Sequence, residues 1–182
     1  MLKGLDAVAT ELTFTGWQDP AVILETGLCI WRSGPKPVLE RKLNPDWLNG
    51  LMAIWYSGKP HSTADLLKLP RNYHALAKAG HTAAQGALEG NLTKLADAIN
   101  ATHNAQLEEG MAPIPSALKS LAYKYAGSGH GGYVLYLFAD RQDRDRFCTT
   151  GGLAIEPYLA RNPPLPAPSR TAQSDESYSC ST

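Results

Sequence analysis

YKYAGSGHGGYVLYLFAD, residues 123–140, decides the fold. Its second half, YVLYLFAD, is the strongest strand signal in the chain, aromatic and branched residues without a charge until Asp140. Its first half places four glycines, Gly127, Gly129, Gly131 and Gly132, within six residues. Gly127, Gly129 and Gly132 satisfy the letters G-x-G-x-x-G. A dinucleotide fingerprint, however, needs a strand before the loop and a helix after it. Here the expectation is a short helix at 116–123 before the loop and a strand behind it, so the Rossmann reading fails on context. Glycine at this density lets backbone approach another segment or a ligand closely. The competing reading is an ordinary tight turn, which rarely needs four glycines.

Upstream, LMAIWY (51–56) is continuous and apolar between Gly50 and Gly58, the pattern of a buried central strand. Strands are also expected at 22–31 and over VLERKL (38–43). Three helices follow. One starts at Ser62, with Asp65 completing a capping pattern. The next, 71–89, is expected to bury Tyr73, Leu76, Ala77, Gly80, Ala84 and Leu88. The third, 91–109, is expected to bury Leu92, Leu95, Ala96, Ile99, His103 and Leu107, and stops at Gly110. RQDRDRF after the core strand reads as a solvated helix, and GLAIEPYL (152–159) as a final strand. The opening MLKGLDAVATEL is an amphipathic helix with Leu2, Leu5, Ala9 and Leu12 on one side. Strands and helices mix without strict alternation, which predicts an α+β fold, an antiparallel sheet with helices packed on one face. That domain covers 1–161. Residues 162–182, rich in proline and serine, form a disordered tail.

Lys+Arg and Asp+Glu balance at 17 each among 182 residues. A nucleic-acid or anionic-membrane surface needs a basic face, and neither partner is expected. Three well-separated cysteines, Cys29, Cys148 and Cys180, fit a reducing compartment. With no apolar run near membrane-spanning length, the expected location is cytoplasmic. Gly58-Lys59 is followed by Pro60 where a Walker A loop needs Ser or Thr, so it is not a P-loop. The five histidines make no metal-ligand spacing, and no metal-ligating residue is assigned. His103 reads as a hydrogen-bonded core residue, while His130 lies inside the glycine loop, within reach of a phosphate. In TGWQDP (15–20), Asp19 beside Trp17 is either a general base or a turn-capping carboxylate, the second favoured by Asp-Pro.

Three stretches, in order, resemble motifs of the GHMP kinases (galactokinase, homoserine, mevalonate and phosphomevalonate kinases), nearest the fucokinase and heptose 7-phosphate kinase branches. TGWQDP resembles a G-W/L-Q-D loop whose aspartate is the proposed base, which maps to Asp19. IWYSGKPHST resembles the F-Y-T-G strand and turn. YKYAGSGHGGYVLYLF resembles the K-x-x-G-x-G-x-G-G loop, with Lys124 and glycines 127–132 in register. The resemblance implies a ferredoxin-like C-terminal domain, ATP and Mg2+ as cofactors, and phosphorylation of a sugar or sugar-phosphate hydroxyl. It assigns Asp19 to catalysis, Gly127, Ser128, Gly129, Gly131 and Gly132 to phosphate binding, and Trp17 and His130 to the substrate. The family's P-x-x-x-G-L-G-S-S loop and the side chains that hold Mg2+ do not occur in this sequence, and Pro20 and His130 depart from the pattern. The expectation is therefore the C-terminal half of a kinase, working with an N-terminal half or self-associating. The rival expectation is a non-catalytic sugar-phosphate-binding module of the same fold.

Overall fold

The computed structural model describes residue 21 and residues 25–34, 37–60, 69–117, 119–127 and 129–157. The N-terminal helix, the TGWQDP loop with Trp17 and Asp19, the helix from Ser62, Ser128 and the 162–182 tail lie outside the described residues. Six strands and three helices are described: β1 (Leu28–Arg32), β2 (Val38–Leu43), β3 (Met52–Tyr56), α1 (Tyr73–Glu89), α2 (Leu92–Glu108), β4 (Ser120–Tyr125), β5 (Tyr133–Phe138), α3 (Arg141–Cys148) and β6 (Leu153–Ile155). β1 and β2 form an antiparallel hairpin with a bulge at Ile30/Trp31. The other four make an antiparallel sheet of order β4-β5-β3-β6. With α2 between β3 and β4 and α3 between β5 and β6, this is the split β-α-β-β-α-β arrangement. The α+β class and the antiparallel sheet are as expected from the sequence.

β3 and β5 are the two inner strands, which is why both read as continuous apolar runs. Alternation sorts their side chains. Ala53, Val134, Tyr136 and Phe138 fall in one core cluster, against which Trp55 and Phe147 of α3 pack. Leu137 and Ala122 point the other way and cluster with Leu48, Ala96 and Ile99. Aromatic rings run in contact from His103 through Tyr123 and Tyr136 to Phe147, at 5.0, 5.7 and 4.7 Å between centroids. Burial and the neighbouring Tyr123 and Tyr125 push the Tyr136 phenol up to about 12. Its hydroxyl donates to the Pro115 carbonyl at 2.7 Å.

Local signals fix the helices. Asn72, Asn91 and Asp140 cap α1, α2 and α3 by accepting from Ala75, Lys94 and Asp143 amides. Gly90 and Gly110, both at positive φ, follow α1 and α2. The buried side of α1 differs from expectation. Ala79, Gly86 and Ala87 are buried, whereas Tyr73 and Leu88 are 76% and 56% exposed. The reason is close packing on α2: a Cβ at Gly86 would lie 2.9 Å from the Leu95 nitrogen. Small residues permit that approach and large ones are turned outward. On α2 His103 is buried as expected, but its Nδ1 meets no hydrogen-bond partner among the described residues, and Leu107, expected inside, is exposed at the helix end.

Two more differences concern the sheet. The first described strand is Leu28–Arg32, and residues 22–24 of the expected strand lie outside the described residues. Of residues 116–123, expected as helix, 120–123 belong to β4, because pairing with β5 overrides the helical propensity of Ala-Leu-Lys-Ser-Leu-Ala. The outer edge of β4 is covered by α2. Asn100 donates to the Leu121 carbonyl (3.1 Å). Gln106 donates to the Tyr125 carbonyl (3.2 Å) and accepts from the Tyr125 amide (3.0 Å). Gln106→Leu would orphan a buried N–H, at a cost of about 2 kcal/mol. Urea unfolding should register that loss, with Asn100→Ala, at an exposed contact, falling well below it.

α3 is not fully solvated either. Arg144 is 4% exposed and donates to Asp145 (2.7 Å) and Glu156 (2.9 Å). Glu156 also accepts from the Gly50 amide at 2.6 Å, tying α3 to the turn before β3. Burial pushes the Glu156 carboxyl up, but the Gly50 N–H and the Arg144 guanidinium outweigh it and hold the pKa below the ordinary 4.5. A depressed carboxylate stabilises the fold above its unfolded pKa and loses that contribution as pH falls through the folded value. Stability should therefore fall with acid below about pH 4.5, less steeply in Glu156→Gln. Identical acid slopes in the two proteins would contradict this.

Candidate functional site

The glycine loop joins β4 to β5 as the turn of a hairpin, not as a helix-to-strand connection. A strand does precede the loop, but a strand and not a helix follows it, so the Rossmann reading still fails. The loop closes with the Ala126 amide donating to the Tyr133 carbonyl at 2.8 Å. Gly127 (φ 57°), Gly129 (81°), His130 (60°), Gly131 (141°) and Gly132 (70°) all lie at positive φ. Only glycine takes such a run without strain, and His130 carries the penalty of a β-carbon there, on the order of 1 kcal/mol.

The glycines divide by what surrounds them. Gly129 is buried beneath Met111, whose sulfur occupies the place a β-carbon would need. Gly131 and Gly132 abut the turn after β3. The Gly132 amide donates to the Lys59 carbonyl (2.7 Å) and its carbonyl accepts from the Ser57 amide (2.9 Å). A Cβ on Gly131 would sit 2.6 Å from that same Lys59 carbonyl. Gly127 is exposed, with open space where a β-carbon would go. Two of the four glycines, Gly129 and Gly131, are thus explained by close packing, and Gly132 holds the turn through backbone hydrogen bonds. The stretch IWYSGKP and the glycine loop, singled out separately in the sequence, meet here.

The amides of Gly127, His130 and Gly131 donate to no acceptor among the described residues. Unpaired backbone N–H groups of a glycine turn can serve an anion where they converge. Lys124 lies on β4 opposite Leu135, its ammonium donating to the Tyr125 carbonyl at 3.0 Å. It meets no carboxylate among the described residues, and burial lowers its pKa. No group of three His, Cys, Asp or Glu gathers among the described residues. No helix among them is long and apolar enough to cross a membrane.

Sequence reasoning missed two aromatics. Tyr56 ends β3 and Tyr133 begins β5, so the two rings pair across the strands at 5.4 Å beside the loop. Each is 45% exposed. The available signal was position, because each tyrosine directly adjoins a glycine turn. Met111, which roofs Gly129, had no local signal at all.

No protein-family model matches the chain, and no curated protein matches it. Solved structures do. Mevalonate kinase from L. major, in complex with R-mevalonate, aligns at TM-score 0.56 and 19% identity, over 82% of this chain and 53% of that one. D-glycero-D-manno-heptose 1-phosphate kinase from Bacteriodes thetaiotaomicron aligns at 0.56 and 11%, over 83% and 50%. The Lin0012 protein of Listeria innocua aligns at 0.51 and 16%, over 86% and 49%. The chain spans about half the length of each, and over that span it shares their fold.

Proposed function

We propose that this chain is the C-terminal part of a kinase that phosphorylates a hydroxyl of a sugar or sugar phosphate from ATP, of the fucokinase and heptose-kinase type. The observation that carries this reading is the glycine hairpin, with three open amides at Gly127, His130 and Gly131. It stands beside a half-exposed tyrosine pair in a fold shared with small-molecule kinases. Backbone donors fixed before the reaction stabilise phosphoryl charge without reorganising. The Tyr56 and Tyr133 rings offer an apolar, polar-edged floor for an acceptor. In this reading Asp19 takes the acceptor proton as the hydroxyl oxygen bonds to the γ-phosphorus and the bond to the bridging oxygen breaks, releasing ADP. By the same resemblance Trp17 serves the substrate and Ser128 the phosphate.

The chain covers about half of its structural neighbours, so ATP turnover is expected only when an N-terminal kinase half is supplied. ADP release measured with and without that half, against a panel of hexoses, heptoses and their phosphates, tests this. Binding of a sugar phosphate by calorimetry, with no turnover under any complementation, would favour the non-catalytic module. Full turnover by the isolated chain would contradict the requirement for a partner.

A further inference from the structure

A cavity of about 350 Å³, sharing no residue with the glycine loop, opens between the sheet and α3. Trp55, Tyr136 and Phe147 supply aromatic walls, and Ala117 leaves room beside them. That volume suits one or two fused rings. The Tyr136 hydroxyl is already spent on Pro115, so its ring serves as a wall and not as a donor.

The rim is charged, and unevenly. Asp143 and Arg146 both line the opening, and Arg146 donates to Asp143 at 2.8 Å. Lys119 reaches the same carboxylate at 3.5 Å. One carboxylate, 12% exposed, therefore serves two cations whose side chains stay 53% and 56% exposed. Asp145 is held by Arg144, which also bonds Glu156, and Asp140 caps the same helix. At Asp143 itself, two cations share one carboxylate beside an aromatic cleft. Lys119 also sits at φ 66°, a conformation costly for a residue with a β-carbon, so the chain bears strain where it presents this ammonium.

We propose that this cleft binds a small aromatic monoanion, its ring between Trp55, Tyr136 and Phe147 and its carboxylate on Arg146 and Lys119. The site is separate from any phosphoryl transfer at the glycine loop and does not depend on it.

The probe is 2-naphthoate, with 2-naphthylmethanol as its neutral isostere, titrated into the full chain by calorimetry. The Trp55 indole N–H resonance is followed in parallel. The acid should bind roughly tenfold more tightly than the alcohol, given a charge-assisted hydrogen bond. Both should shift the Trp55 resonance. Arg146→Gln, at an exposed position, should erase most of the preference while leaving alcohol binding unchanged. Lys119→Gly separates binding from folding: it should be no less stable than the native chain, yet bind the acid several-fold more weakly. Equal affinity for the two probes would overturn the anion assignment. An unmoved Trp55 resonance, or a preference that survives both substitutions, would overturn the site.

Discussion

Gly131→Ala is expected to destabilise the fold by on the order of 3 kcal/mol, read as a lower urea midpoint with an unchanged slope. Two independent costs add. At φ 141° an L side chain is strained whatever the space around it. The new carbon would also lie 2.6 Å from the Lys59 carbonyl and 3.1 Å from that of Pro60, both backbone atoms. Backing away from Lys59 gives no relief, because the same carbonyl accepts the Gly132 amide and the neighbouring Ser57 amide bonds Gly132. Relieving the clash would break the clasp between the β3 turn and the loop. Gly127→Ala is the control. It has positive φ but nothing within 4 Å, so strain of about 1 kcal/mol is all it should cost. Equal losses at the two positions would mean that contact with the Lys59 carbonyl does not shape the loop.

Asp19→Asn is expected to lower turnover of the complemented protein by on the order of 10³-fold, with little change in folding stability. General-base catalysis contributes roughly 10²–10⁴-fold, and the amide removes the base while keeping the shape. Ligand binding should survive, because in the proposed function phosphate recognition falls to backbone donors. If the Asn variant turned over at the native rate, Asp19 would have no part in proton transfer. A large loss of stability would instead mark it as a turn-capping carboxylate, the competing reading of its Asp-Pro sequence.

How much of this was legible in the sequence depends on where the determining contacts lie. β3 and β5 were readable because inner strands bury both faces and leave an unbroken apolar run. α2 was readable because its apolar side is wide enough to show a helical period. α1 was placed correctly and turned wrongly. The expected buried face runs through Tyr73, Leu76, Ala77, Gly80, Ala84 and Leu88, but the helix meets its neighbour through Ala79, Gly86 and Ala87, where size and not hydropathy decides. β4 was misread as helix because its stability comes from β5 on one side and Gln106 on the other, neither of them local. Arg144 looked solvated because its partner Glu156 lies beyond the helix.

The glycine loop was found by composition, yet its organisation was not. The sequence shows four glycines; the structure shows that Gly129, Gly131 and Gly132 answer to Met111, Lys59 and Ser57. What remains for a ligand is the set of open amides and the tyrosine pair flanking them. Trp17, Asp19 and Ser128 lie outside the described residues, so their place in the site rests on the motif resemblance.

Paramagnetic broadening from residue 19 tests this convergence most directly. Cys29, Cys148 and Cys180 would be replaced by alanine, Asp19→Cys introduced, and a nitroxide attached there. The account predicts that the amide signals of Gly127, Gly129 and His130 broaden while those in the middle of α1 stay sharp. Sharp signals throughout the glycine hairpin would contradict it.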